Sequence, residues 1–505
     1  MRVTGLGVLL CLGAAWLPAQ NLSEFEKKVT EFTLPNGLHF ILVERHDAAV
    51  IAFHTYVKAG SVDDPAGQTG LANLVSRVML KGTGTLGTRG WEAEKKAMDG
   101  AEQAYGRLQA ERNKGLMADA GKAGVLETQW RIALEAAQSW VDPNAYAQVI
   151  QDNGGRDLSV RALPDATECG YTLPSNKAEL WFLLESQRLM HPVFREFYKE
   201  RDLVLQEHRA NVDGKALPRV QAELLATAFE AHPYRNSPGG WPSDVANLGV
   251  ADAEAFFAKY YVPENMVIAM VGDMYPPGAT LLANKYFGPI PGRPAPPRAH
   301  TEEPPQLGSK SAVVGVSPLG LMAIGYKRPD ERNRDDAVLG VIQTLLSGRT
   351  GVLQAELVEK GIAQAATARA TFPAGGAPNL FLFLLAPAPG HTLDDVQKAL
   401  SEVLVQLQNR PVNAEALARA KAQIRVGALR RLESNPDLAA LLPAYYAGYG
   451  DWRSLFRELE DSSKVTAEAV ERAAIKYFTP GNRTVVYLAA ESRGEALPDR
   501  TGGQQ

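Results

Sequence analysis

"KYYVPENMV" at residues 259–267 and "KYFTPGNRT" at residues 476–484 share one frame. Lys259, Tyr260, Pro263 and Asn265 recur at an offset of 217 as Lys476, Tyr477, Pro480 and Asn482. Each copy follows an Ala-rich amphipathic run, "ADAEAFFA" or "AEAVERAAI". Each also precedes an apolar, strand-like run, "MVIAMVGD" or "TVVYLAAE". A nine-residue likeness alone would be weak, but a shared helix, turn and strand context predicts a duplicated domain. Between the copies, "GPIPGRPAPPRAHTEEPPQ" carries seven prolines from Pro289 to Pro305. With φ fixed and amide donors missing, that segment is expected to be an extended linker over 289–306. The expected domains are 22–288 and 307–495, with a disordered tail at 496–505.

Working outward, "FTLPNGLHFILVE" (32–44) alternates around Pro35-Asn36-Gly37, a hairpin signal. "AVIAFHTYVKAG" (49–60) continues as a half-buried strand. Strands, then helices, then a closing strand predict an α+β domain with helices packed on a mainly antiparallel sheet. Residues 91–141 lengthen the first half. Met98, Ala101, Tyr105 and Leu108 step at helical spacing, as do Leu126, Trp130, Leu134, Ala137 and Val141. This predicts a helical-hairpin insertion acting as a stabilising prop.

The formal charge is −4 and the pI about 6.1, which supplies no basic face for nucleic acid. The opening "MRVTGLGVLLCLGAAWLPAQ" has a basic start, a short apolar run and a small-residue exit, and residues 1–20 are expected to be a signal peptide. That implies a secreted or periplasmic chain without a transmembrane anchor. Outside this leader the only cysteine is Cys169, so an internal disulfide is not expected.

"GQTGLANLVSRVMLKGT" (67–83) has the build of a catalytic segment, with a Gly turn, an amphipathic helix and a Lys-Gly-Thr exit. Taken with "TLPNGLHFILVE", "VKAGSVDDPAGQTGLA", "NGGRDLSVRALPDAT", "ERDLVLQEHRA", "AHPY", "YYVPENMVIAMVGD" and "LLSGRTGVLQAELVEKGIA", it resembles the insulinase/pitrilysin-type zinc metallopeptidases, which include mitochondrial processing peptidase. The resemblance runs along nearly all of the chain after the leader. It implies a processing-peptidase-like fold of two homologous domains closing on each other as a clamshell.

The resemblance also implies where the chemistry should be. The family holds zinc with H-x-x-E-H on a helix and a distant glutamate, the motif glutamate activating the zinc-bound water. Those three motif positions are Asn73, Ser76 and Arg77 here, while Glu207 in "VLQEH" keeps the distal position. Asparagine is a poor zinc ligand, serine is no base near neutral pH, and Arg77 puts a permanent cation where a dication would sit. The expectation is no catalytic residue, no bound metal and no cofactor, with Arg77 and a buried Glu207 forming an ion pair in the metal's place. No two of the eight histidines are three or four residues apart, so no helical ligand pair replaces the lost one. His54 reads as a packed or surface strand residue and Cys169 as a buried small hydrophobe.

The family's peptide-binding edge carries an Asn-Ala pair, which aligns with Ser159 and Val160. Its second-domain Arg and Tyr align with Val358 and Gln364. The implied function is a non-catalytic homologue serving as partner subunit or peptide-binding scaffold for an active family member, or pairing as a homodimer, with extended peptides as ligands. The alternatives are a metallopeptidase with non-standard ligands and a purely structural envelope protein.

Overall fold

The computed structural model describes residues 22–298, 301–317 and 320–490. The expected signal peptide and tail therefore lie outside the described residues, together with the last few positions of the expected second domain. The chain forms two mixed sheets packed by helices. The first contains β1 (Val29–Thr33), β2 (His39–Glu44), β3 (Val50–Val57), β4 (Arg156–Ala162), β5 (Thr167–Pro174) and β6 (Met266–Gly272), in the order β1-β2-β6-β3-β5-β4. The second contains β7 (Lys310–Ser317), β8 (Leu321–Arg328), β9 (Ala363–Phe372), β10 (Asn379–Pro387) and β11 (Arg483–Ala490), in the order β7-β11-β8-β10-β9.

Removing β1 leaves two sheets of identical topology. In each, one parallel pair (β2 with β6, β7 with β11) opens an otherwise antiparallel sheet. The hairpin closes at Gly37, whose φ of 93° places it in the left-handed region that glycine enters without strain. Across it Thr33 pairs with His39.

The repeated residues do the same work in both halves. The Asn265 side-chain amide donates to Tyr260 O at 2.8 Å and Lys58 O at 3.4 Å, and Asn482 donates to Tyr477 O and Lys327 O, both at 2.8 Å. Each asparagine ties the end of its helix, Val250–Tyr260 or Ala467–Tyr477, to the end of its central strand, β3 or β8. Pro263 and Pro480 each open the short turn between.

One face of each sheet is covered by its own half's helices and the other by a helix from the opposite half. Helix Ala216–Ala228 lays Val220, Leu224 and Leu225 on Ala323, Leu380, Leu382 and Val486 of the second sheet. Helix Asn435–Tyr449 lays Leu438, Ala439 and Leu442 on Ile41, Val43, Ala52, Val267 and Ala269 of the first. Strand β3, expected to be half-buried, is therefore buried on both faces. The reason is this second cover, which the local alternation of β3 cannot reveal. Polar contacts reinforce the exchange. Arg45 donates to Leu432 O, Glu433 O and Asn435 Oδ1 at 2.5, 2.9 and 3.0 Å. Asp165 accepts from the Tyr234 hydroxyl at 2.7 Å and from the Gly376 amide at 2.9 Å.

The insertion is a helical hairpin, Trp91–Arg112 and Ala120–Gln138. Its inner residues Tyr105 and Trp130, with Tyr198, surround the Arg201 guanidinium at 5.4, 5.8 and 4.8 Å from the ring centres. Arg201 also donates to the Tyr105 hydroxyl at 2.8 Å. The hairpin thus braces helix Phe197–His208, which carries Glu207. In the Pro-rich segment, Glu303 accepts from the amides of Glu230, Ala231 and His232 and from Lys327. Its far end is thereby pinned between the halves.

Candidate functional site

Helix Leu71–Val78 is positioned by its start. Asp64 accepts from the amides of Gly70 and Ala72, both at 2.8 Å, occupying donors that a helix start leaves free. Burial pushes that carboxyl up to about 7, although those amides favour its charged form. Leu71, Leu74, Val75 and Val78 turn into the core. Ser76 is buried too, its hydroxyl donating to Asn73 O at 2.7 Å, so it has no free role as a base.

Arg77 reaches across to helix Phe197–His208. Its two terminal nitrogens donate to the two Glu207 oxygens at 3.1 and 2.5 Å, a bidentate fork. Glu200 lies 3.6 Å from the same guanidinium. Lys81, one turn beyond Arg77, binds Glu200 at 2.6 Å and Glu196 at 3.3 Å. Glu200 and Glu207 are seven residues apart and share one helix face. With Lys199, which binds Glu196 at 2.6 Å, the cluster is a ladder of three cations against three carboxylates. Sequence reasoning missed Glu196, Glu200 and Lys81. An acid two turns before Glu207 and a base four residues after Arg77 were the available signals.

One expectation requires correction. Glu207 is not buried: its side chain is 50% exposed and that of Arg77 26%, so water relieves much of the cost of an unpaired carboxylate there. The deeply placed acid is Glu200, 9% exposed.

These residues do not suit a zinc ion. Both Glu207 oxygens are held by a cation, Asn73 replaces an imidazole, and the site lacks a thiolate or histidine. Among the described residues no group of three His, Cys, Asp or Glu side chains is arranged to hold a metal.

The other positions lie apart from this cluster. Ser159 and Val160 sit on β4, facing Gly170 and Cys169 of β5. β4 ends the sheet, and its outer edge has no strand partner among the described residues. A bulge between Arg156 and Ser159, with Asp157 at φ 59°, sharpens its twist. Val358 ends a short turn of helix and is half-buried, while Gln364 is exposed on β9, the edge of the second sheet. Neither is joined to Arg77 or Glu207 by a hydrogen bond or ion pair. His54 is buried in β3, 3.9 Å from Glu168. Burial, aided by the Arg161 charge, holds its pKa down to about 4. Burial pushes the Cys169 thiol up to about 12, which leaves no thiolate for nucleophilic work.

The helix of Asn73, Ser76 and Arg77 thus lies beside the glutamate-bearing helix within a duplicated α+β unit. Residues 247–424 match the family model described as the peptidase M16 inactive domain. The chain is 24% identical over 502 residues to the zinc protease PqqE of Helicobacter pylori, covering 96% of this chain and 98% of that protein. Its fold matches the crystal structure of a protease from Helicobacter pylori with a TM-score of 0.76 at 23% identity, covering 91% of this chain and 99% of the other. It also matches the first half of the periplasmic protease PqqL from Escherichia coli, with a TM-score of 0.65 at 15% identity and 92% of each chain covered. Along nearly its whole length the chain is thus similar to M16, insulinase-type zinc proteases, and its residues 247–424 carry the inactive-domain match.

Proposed function

We propose that this chain is an exported, catalytically inactive M16 homologue that serves as partner subunit or peptide-binding scaffold for an active peptidase. The observation that carries the reading is the fork between Arg77 and Glu207. A guanidinium that takes both oxygens of the one retained ligand position leaves a dication neither site nor partner. What remains is the shell: two exchanged halves and the open edge of β4, where an extended peptide can add as a strand. Ser159 and Val160 are the contact positions on that edge. The degenerate positions Val358 and Gln364 take the substrate contacts of the second half out of this chain, so a partner would have to supply them. The domain boundaries that accompany the reading are 22–288 and 307–495, joined by 289–306. Likeness to a periplasmic protease supports export, and among the described residues no helix is long and apolar enough to cross a membrane.

The test is affinity capture of the tagged mature chain from envelope extract, followed by metal analysis of the complex and of the free chain. A co-purifying protein with intact H-x-x-E-H, and zinc in the complex alone, supports the proposal. Stoichiometric zinc and chelator-sensitive cleavage in the free chain would sink it.

A further inference from the structure

The duplication places a second helix pair where the first half has its ion-pair ladder. Helix Asp336–Leu346 follows β8 as Leu71–Val78 follows β3. It packs on helix Ala414–Glu433, as Leu71–Val78 packs on Phe197–His208. In the first half the two helices are bridged by Arg77, Lys81 and their carboxylates. In the second half both helices line a cavity of about 240 Å³, completed by the end of helix Leu393–Asn409.

The cavity has an apolar floor and a cationic rim. Leu345, Val403 and Ala420 are buried beneath it, while Val352 stands at the mouth, 38% exposed. Arg410 and Arg419 are the only charged side chains lining it. Arg419 is 3.7 Å from Glu415, a residue 87% exposed. Arg410 has no ion pair and no side-chain hydrogen bond among the described residues. Thr344, Thr350, Gln406, Asn413 and Gln423 complete the polar lining, so the pocket joins apolar surface to uncharged polar groups and two guanidinium groups.

We infer that this cavity is a binding site for a small amphipathic carboxylate, its apolar part on Ala420 and Val403 and its anionic end at Arg410. The floor demands a hydrocarbon group, and a rim with two guanidinium groups and no lining carboxylate selects the sign of the head. Two sources share that chemistry, a free medium-chain acid and the apolar C-terminal residue of a peptide. The inference is independent of the partner-subunit reading, and failure of either leaves the other standing.

The experiment is calorimetric titration of the mature chain with two matched pairs: octanoate against octan-1-ol, and N-acetyl-leucine against its amide. At least one carboxylate should bind about tenfold or more tightly than its neutral mate, the margin of one good charge-assisted contact. Arg410→Gln should collapse that margin, and Ala420→Phe should abolish binding. Because Ala420→Phe can disturb the core, Val352→Trp at the exposed mouth provides a second block, with the melting curve as a folding control. A tighter octanoate pair identifies the free acid as the source, and a tighter leucine pair the peptide end. Equal binding of charged and neutral mates, no binding at about millimolar ligand, or binding unchanged in both blocked variants each overturns the inference.

Discussion

Arg77 holds both oxygens of Glu207, while Lys81, one turn further on, holds the more buried Glu200 at 2.6 Å. The two cations thus have different main partners on the acidic helix, and the exposures of those carboxylates predict unequal costs. Arg77→Ala breaks a pair half open to solvent and should cost about 0.5–1 kcal/mol. Lys81→Ala leaves the more buried Glu200 only its longer, 3.6 Å contact with Arg77 and should cost about 1–3 kcal/mol. Urea midpoints at unchanged slope measure both. An Arg77→Ala cost exceeding that of Lys81→Ala would show the burial argument to be wrong.

Replacing the fork should restore affinity for metal without restoring the reaction. The triple change Asn73→His, Ser76→Glu, Arg77→His sets two imidazoles one turn apart and frees Glu207 as a third ligand. The expected outcome is stoichiometric zinc after dialysis and little peptide cleavage, since Val358 and Gln364 still lack the second-half contacts. The unaltered chain should retain no zinc in the same dialysis. A triple variant that stays metal-free would place Glu207 outside ligand reach.

Glu303 should govern how firmly the Pro-rich segment lies down. Burial opposes its charge, yet the His232 amide, Lys327 and the amides of Glu230 and Ala231 together hold its pKa down to about 2. A depressed folded pKa stabilises above the unfolded value of 4.5, and that contribution is lost as pH falls toward 2. At neutral pH, Glu303→Ala should therefore speed limited proteolysis between residues 289 and 302. Unchanged cutting, read by fragment mass, would mean that the pin does not hold the segment.

Glu331 predicts a pH dependence of opposite sign. Burial first, then the nearby Asp336 and Glu458, raise its pKa from 4.5 to about 7. Its amide donates to Gly375 O at 3.0 Å, next to the contact from Asp165 to Gly376 that joins the halves. A raised folded pKa gives stability that is complete below 4.5 and lost as pH climbs through about 7. Glu331→Gln should flatten the fall of melting temperature between pH 5 and 8. Parallel curves for the two proteins would remove Glu331 from the account.

The repeat, the hairpin at Asn36-Gly37 and the helical insertion were legible because each is written in neighbouring residues. So was the meeting of Arg77 with Glu207, through a resemblance that brings their helices together. The exposure of Glu207 was not legible, since it depends on how the end of helix Phe197–His208 packs against the rest of the fold. The roles of Glu200 and Lys81 were missed because each is an ordinary surface residue until the opposite helix arrives. The second cover of β3 was invisible for a deeper reason: Leu438 and Leu442 come from a segment nearly four hundred residues away.

The exchange of helices Ala216–Ala228 and Asn435–Tyr449 means that the duplicated gene product cannot be divided again. Expressed alone, either half would keep one apolar sheet face bare and carry a greasy helix with nothing to cover. Two such fragments should be insoluble apart and soluble when made together, each completing the other's core. A repeat that began as two interchangeable copies has, through that crossing, become mutually dependent.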